Sequence, residues 1–170
     1  YASMAQLANA LASIIAFGLP SIVLALMAKE NWYNHLGFTA VKSYQQIGIV
    51  ILLALTGLVL SGALGSLTEK IPIPTNFKNW AEDLEAQYKK AMLSMTHMNS
   101  LMDLAYALVA VAIIPSIIEE VYFRGTLQKI LMDLTGKPYA AIILTAIFFS
   151  AIHFSFFGFL SRMALGIILG

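Results

Sequence analysis

Residues 46–67 read QIGIVILLALTGLVLSGALGSL and contain no Asp, Glu, Lys or Arg. The hydrocarbon core of a bilayer is about 30 Å thick, so a spanning helix needs roughly 20 apolar residues. This stretch is long enough, and the uncharged runs 1–28 and 138–161 are long enough as well. The sequence therefore predicts a membrane protein built from helices.

The composition supports a membrane location and excludes several functions. Hydrophobic residues make up 59% of the chain and charged residues 11%, whereas soluble domains carry about 25% charged residues. The net charge of +1 suggests no nucleic-acid partner. The chain has no cysteine, which excludes disulfides, thiol catalysis and cysteine metal ligands. The lipid bilayer is the first partner that the sequence predicts.

The distribution of charges predicts an all-α, polytopic transmembrane helix bundle in a single domain. We expect spans at about residues 6–27, 46–67, 102–124, 139–157 and, incomplete, 159–170. Lys29 and Glu30 end the first span, and Trp32 and Tyr33 are expected as anchors at the membrane interface. The chain begins with Tyr1 and ends within an apolar run, so we expect further residues beyond both ends.

Residues 79–98 are expected to form an amphipathic helix. Asn79, with an acidic residue three positions later, gives a capping-box pattern. Charges occupy one face, and the apolar positions on the other are Trp80, Leu84, Tyr88, Met92 and Met95. Such a helix can pack on the bundle from the water side, or it can lie in the interface and gate lateral access. We favour the first interpretation.

Two adjacent carboxylates lie near the end of the third apolar segment, in the sequence PSIIEEVYFRG at residues 115–125. A charge deep in a membrane helix costs about 2.5–3.5 kcal/mol on insertion scales, so such groups are expected to face a polar cavity and to have a function. Glu120 and Arg124 are four residues apart and can pair. Glu119 points about 100° away from Glu120. One carboxylate can therefore be neutralised while the other serves acid–base chemistry.

A histidine occurs in the next apolar segment. His153 lies within the uncharged run 138–161, and Phe149 lies one helical turn before it on the same face. A neutral imidazole at this place can share an activated water with Glu119, or it can bind a metal.

Each of these residues also has an ordinary structural interpretation. Glu119, Glu120 and Arg124 can be solvated residues at a helix end that emerges into the headgroups. His153 can be a buried histidine bonded to a backbone carbonyl. Their occurrence in order on consecutive helices favours catalysis. Arg162, in the last segment, is expected either to reach the interface or to contact substrate.

The pattern Glu119-Glu120-x-x-x-Arg124, followed on the next helix by Phe149-x-x-x-His153, resembles the first two motifs of the CAAX protease and bacteriocin-processing family. This family comprises intramembrane endopeptidases. The resemblance covers about residues 104–170, and the further matching residues are Pro115, Phe123, Gly125, Arg162 and Gly166.

The resemblance implies a role for each matched residue. It implies that Glu119 is the general base that activates water and that His153 helps to hold this water. It implies that Glu120 and Arg124 orient the site and that Phe149 packs beside His153. The family's last motif, a histidine followed four residues later by Asn or another polar residue, stabilises the oxyanion. No such pair follows the matched histidine, so we expect this stretch to lack that part of the site.

The resemblance leaves the cofactor open between none and a divalent metal such as zinc. Glu119, Glu120 and His153 are the candidate metal ligands. The sequence lacks the two-histidine spacing of zinc-binding protease helices. We therefore favour water activation without a tightly held metal.

The function implied is hydrolysis of a peptide bond in a membrane-associated or prenylated substrate, in the cytoplasmic membrane of a bacterium. The partners implied are a peptide or a lipidated protein. A non-catalytic scaffold or bacteriocin-immunity protein of the same fold is one alternative. A transporter or channel subunit whose carboxylates relay protons is another.

Overall fold

The computed structural model describes residues 2–28, 31, 33, 36–38 and 43–170. Within these ranges six helices have fully described bounds: α1 Ala2–Met27, α2 Tyr44–Lys70, α3 Thr75–Met95, α4 Leu101–Thr135, α5 Pro138–Ala151 and α6 Phe159–Leu169. All regular secondary structure in the described residues is helical, which confirms the predicted all-α fold class. Lys29, Glu30 and Trp32, to which the sequence assigned the end of the first span and an anchor, lie outside the described residues.

Three helices, α1, α2 and α4, are long and apolar enough to cross a membrane. Their most apolar windows have mean hydropathies of 2.3, 2.5 and 2.2. These helices identify an integral membrane protein. Helices α5 and α6 are also apolar, but they contain 14 and 11 residues, fewer than the roughly 20 of a typical span. The predicted stretch 139–157 is helical only as far as Ala151, and spans at 139–157 and 159–170 stay predictions.

The contacts divide the chain into two compact units. The first unit comprises Tyr1–Phe38 and Lys89–Leu134, and the second comprises Thr39–Tyr88 and Thr135–Gly170. In the first unit α1 packs along α4. In the second unit α6 packs on α5 and on α2. Glu119 therefore belongs to the first unit, and the helix that leads to the predicted histidine belongs to the second.

Two prolines shape the helices of the first unit. Pro20 in α1 and Pro115 in α4 lack the backbone N–H that would continue the α-helical hydrogen-bond ladder. A π-helical stretch precedes each of them, at Ile14–Gly18 and at Leu108–Ile113. The wider π turn pairs a carbonyl with the donor five residues along, so both helices continue past their proline.

Helix α3 covers Thr75–Met95, whereas the capping pattern predicted a start at Asn79. Within the predicted apolar stripe, Met95 is buried and Trp80 is exposed, and the other three positions, Leu84, Tyr88 and Met92, are half-buried. Ala81 and Glu85 are buried as well. The burial of the Glu85 carboxylate was not predicted.

Candidate active site

Glu120 and Arg124 form an ion pair on α4. Arg124 Nη1 lies 3.0 Å from Glu120 Oε2, and the two side chains are 16% and 51% exposed, respectively. The four-residue spacing predicted this pairing. Because the guanidinium is the more buried partner, it needs a compensating charge, and the Glu120 carboxylate supplies it.

The backbone that carries Arg124 is π-helical. The stretch Val121–Leu127 is a third π segment, and Thr126 Oγ1 donates a 3.3 Å hydrogen bond to the Val121 carbonyl five residues earlier. A side chain that inserts into the ladder in this way deforms a helix. Single π turns within α-helices are frequent at functional sites. The sequence does not predict this π stretch, because no proline follows it.

The two neighbours of Arg124 fix its position. Phe123 is 1% exposed, and its ring centroid lies 5.7 Å from that of Phe17 on α1. At Gly125 a Cβ would stand 2.6 Å from the carbonyl oxygen of Leu36, so only glycine permits this close backbone approach. Phe123 thus packs this stretch against α1, Arg124 carries the charge, and Gly125 allows the close approach of the Leu36 backbone.

Glu119 is half-buried in the α-helical segment Ile114–Glu120, directly before the π stretch. Its side chain leaves the helix about 100° from that of Glu120. A cavity of 330 Å³ opens beside the ion pair, and its lining includes Glu120, Arg124 and Gly125. The first unit therefore presents two adjacent carboxylates that leave the helix in different directions.

His153 follows the end of α5 and is half-buried. Its Nδ1 lies 2.8 Å from the carbonyl oxygen of Phe149. A carbonyl oxygen only accepts, so in the neutral ring Nδ1 carries the proton and Nε2 carries the lone pair. The ring centroids of His153 and Phe149 are 4.9 Å apart at an interplanar angle of 62°. The ordinary interpretation foresaw the carbonyl contact, and this contact also selects the tautomer with a basic Nε2.

A tight turn holds His153. The next residue, Phe154, has a φ of 49°, in the left-handed region that aromatic residues rarely adopt. Its backbone N–H donates to the Ala151 carbonyl at 3.2 Å. Ser150 Oγ donates a 2.6 Å bond to the Phe159 carbonyl, which ties together the ends of α5 and α6. Strain of this kind costs on the order of 1–3 kcal/mol and clusters at functional sites.

A largely apolar cavity of 600 Å³ opens beside this turn. Its lining includes Ile71, Trp80, Leu84, Phe154, Phe156 and Leu160. The rings of Trp80 and Phe156 meet edge to face at 6.2 Å. Ligand cavities are typically about 300–1,000 Å³ with mostly apolar walls, so this cavity has the size and chemistry to receive an apolar group. No pattern in the sequence predicted this cavity.

No group of three or more His, Asp or Glu side chains that could hold a metal ion occurs within the described ranges. Two of the candidate ligands, Glu119 and Glu120, lie in the first unit, and His153 lies in the second. The mechanism proposed below uses protein groups and water.

Comparison with protein families gives a match to the same part of the chain that carries the motifs. Residues 101–170 match the family described as Type II CAAX prenyl endopeptidase Rce1-like. This part of the chain is similar to that family. The match confirms the resemblance read from the motifs and supports a CAAX-type intramembrane endopeptidase in general. No curated protein and no solved structure showed significant similarity to the chain.

The matched residues 101–170 include all four residues that the sequence predicted for the site. The structure pairs Glu120 with Arg124, and it brings His153 together with Phe149. Glu119 and His153 lie in different compact units, and their use of a common water stays a prediction.

Proposed function

We propose that the protein is an intramembrane endopeptidase in which Glu119 and His153 activate a water molecule. The family match implies a protease. The observation that carries the finer proposal is the contact between His153 Nδ1 and the Phe149 carbonyl. Because Nδ1 holds the proton, Nε2 is a hydrogen-bond acceptor that can orient a water.

In the proposed reaction the water forms two hydrogen bonds. It donates one to Nε2 of His153 and the other to the Glu119 carboxylate. Glu119 takes its proton as the water oxygen bonds to the carbonyl carbon of the substrate. The tetrahedral intermediate then collapses, the carbon–nitrogen bond breaks, and Glu119 returns the proton to the departing amine. The products are a carboxylic acid and an amine.

Glu120 and Arg124 support this reaction without taking part in proton transfer. Their ion pair fixes the end of the α-helical segment that carries Glu119. Glu119 directly precedes Glu120, and its side chain leaves the helix in a different direction. Two carboxylates with different environments can serve separate roles.

We infer that the substrate presents an apolar group close to the bond that is cut. The 600 Å³ cavity reaches Phe154 and Ser155, which directly follow His153. Its walls are mostly apolar, which suits an aliphatic or prenyl chain more than a charged one. A membrane-associated or prenylated peptide meets this requirement.

The test is cleavage by the full-length protein in proteoliposomes. Prenylated and unprenylated versions of one peptide are supplied, and the products are identified by mass spectrometry. We expect cleavage of the prenylated peptide and its loss in Glu119→Ala at unchanged membrane yield. Glu82→Ala is the matched control, because Glu82 is an exposed carboxylate paired with Lys78 on α3. Retained cleavage in Glu119→Ala would refute the proposal, and binding of peptide without cleavage would favour the scaffold alternative.

A further inference from the structure

A carboxylate that the proposed mechanism does not use is buried in the second unit. Glu85, on α3, is 8% exposed, whereas its neighbours Glu82 and Asp83 are exposed. Burying a carboxylate is unfavourable unless hydrogen bonds or opposite charges compensate for the lost water. Its position on the packed face of an otherwise charged helix therefore calls for a specific partner.

That partner is the turn that follows His153. Ser155 Oγ donates a 3.1 Å hydrogen bond to Glu85 Oε2. Because its proton points at the carboxylate, the same hydroxyl oxygen can accept a bond, and it does so from the Gly158 N–H at 3.2 Å. A hydrogen bond to an ionised acceptor is stronger than one between neutral groups. Glu85 thus holds Ser155, and Ser155 Oγ in turn holds the backbone at Gly158.

Arg162 of α6 binds the same turn. Its Nη2 donates a 3.2 Å bond to the Ser155 carbonyl, and its guanidinium carbon lies 5.5 Å from the centre of the Tyr88 ring on α3. A Cβ at Gly158 would stand 2.6 Å from the guanidinium nitrogens. Neither interpretation of Arg162 from the sequence anticipated these contacts. Three separate segments, α3, α6 and the turn, therefore meet at Ser155.

We propose that Glu85 is a positioning residue, which sets the direction of the His153 ring through Ser155. Ser155 is two residues from His153, so a displacement of the turn moves the Nε2 atom that is to orient the water. Replacing both partners of a buried charged interaction by packed apolar side chains is often neutral for stability, so stability alone does not explain a carboxylate here. The inference rests on the proposed role of His153.

The kinetic test compares Glu85→Ala, Ser155→Ala and the double variant in the full-length protein. We expect each single variant to lower kcat by about tenfold or more at little-changed KM, because misplacing a reacting group by about 1 Å can cost about 100-fold. The double variant should be no worse than either single one, since both remove the same contact. Glu85→Gln keeps an acceptor oxygen and should retain most of the rate. Glu82→Ala is the control, because Glu82 is also a glutamate on α3 and lies less than one helical turn from Glu85.

A second readout does not depend on cleavage. Nitrogen NMR of ¹⁵N-histidine-labelled protein reports the tautomer of His153, and the signal is assigned by its loss in His153→Ala. We expect the Nδ1-protonated tautomer in the native protein and a mixture of tautomers in Glu85→Ala and Ser155→Ala. A residue with a merely structural role would change the melting temperature and leave this signal in place.

Two results would overturn the inference. One is a native His153 signal in both single variants. The other is a pair of kcat losses that multiply in the double variant. Failure of the endopeptidase proposal looks different, because Glu119→Ala would then leave product formation unchanged while the His153 signal still responds to Glu85→Ala.

Discussion

Arg124 Nη1 lies 3.0 Å from Glu120 Oε2 across the junction at which α4 changes from α-helix to π-helix. Glu120 is the last residue of the α-helical segment, and Arg124 lies within the π stretch. The pair therefore joins the two halves of the motif and holds the preceding residue, Glu119, at a fixed helical end.

Arg124→Lys should lower cleavage although it keeps the positive charge. Lysine lacks the planar fork with which arginine binds a carboxylate. Arg124→Ala should lower cleavage further and should destabilise the protein. Because Glu120 is half exposed, the loss should stay below the roughly 3–5 kcal/mol of a fully buried pair. Melting temperature and cleavage rate are measured together, with Lys137→Ala at an exposed site as the control. Equal rates for the Arg124→Lys variant and the native protein would contradict the assignment.

Gly125→Ala should destabilise the first unit. The new methyl group would meet the Leu36 carbonyl oxygen at 2.6 Å, and overpacking of this kind costs about 1–3 kcal/mol. The matched control is Gly62→Ala, because nothing lies within 4 Å of a Cβ at Gly62 in α2. Alanine there should be neutral or stabilising by about 0.5–1 kcal/mol. Melting temperatures in detergent test both, and the reverse order would show that Leu36 does not approach Gly125 in solution.

The sequence predicted those features that depend on local spacing. The apolar runs indicated membrane helices, the i,i+4 spacing indicated the Glu120–Arg124 pair, and the spacing from Phe149 to His153 indicated their contact. The π stretch at Val121–Leu127 could not be predicted, because no proline follows it. The hydrogen bond from the Thr126 hydroxyl to the Val121 carbonyl is visible only in the structure. Glu85 was missed because its partner lies 70 residues away and is set by tertiary packing. The sequence feature that relates to its burial is the i,i+4 spacing of Glu85 from Ala81, which places both residues on one face of α3.

Phe149→Leu should lower the cleavage rate by about 2- to 10-fold, the equivalent of one aromatic contact of about 0.5–1.5 kcal/mol. The backbone carbonyl that binds His153 Nδ1 would remain, so the tautomer should be retained and only the packing of the ring lost. Phe148→Leu is the control, because Phe148 is 48% exposed on the same helix. Identical rates in the two variants would mean that the Phe149 ring does not orient His153.

Ala151→Phe should raise KM for the prenylated peptide. Ala151 lines the 600 Å³ cavity, and a phenyl ring would occupy part of the volume assigned to the apolar group of the substrate. Ile143→Phe places a similar ring on an exposed position of α5 and should change nothing. Cleavage is measured over a range of peptide concentrations. An unchanged KM in Ala151→Phe would separate the cavity from substrate binding.

Chelators should leave cleavage unchanged. The sequence lacks the two-histidine spacing of zinc-binding protease helices, and the proposed mechanism uses no tightly held metal. The assay compares native protein before and after prolonged dialysis against a chelator, followed by addition of zinc. Loss of activity that zinc restores would contradict this expectation. The candidate ligands Glu119, Glu120 and His153 would then be replaced one at a time.

The central claim is that Glu119 and His153 act on the same water, and cysteine cross-linking tests it most directly. The chain contains no cysteine, so Glu119→Cys with His153→Cys introduces one defined pair of thiols into it. A short bifunctional thiol reagent should join them, and mass spectrometry should identify the linked peptides. Glu119→Cys with Phe148→Cys, on an exposed position of α5, should stay unlinked. Efficient linkage in the first pair alone is the predicted result, and linkage in neither pair or equally in both would contradict a common water.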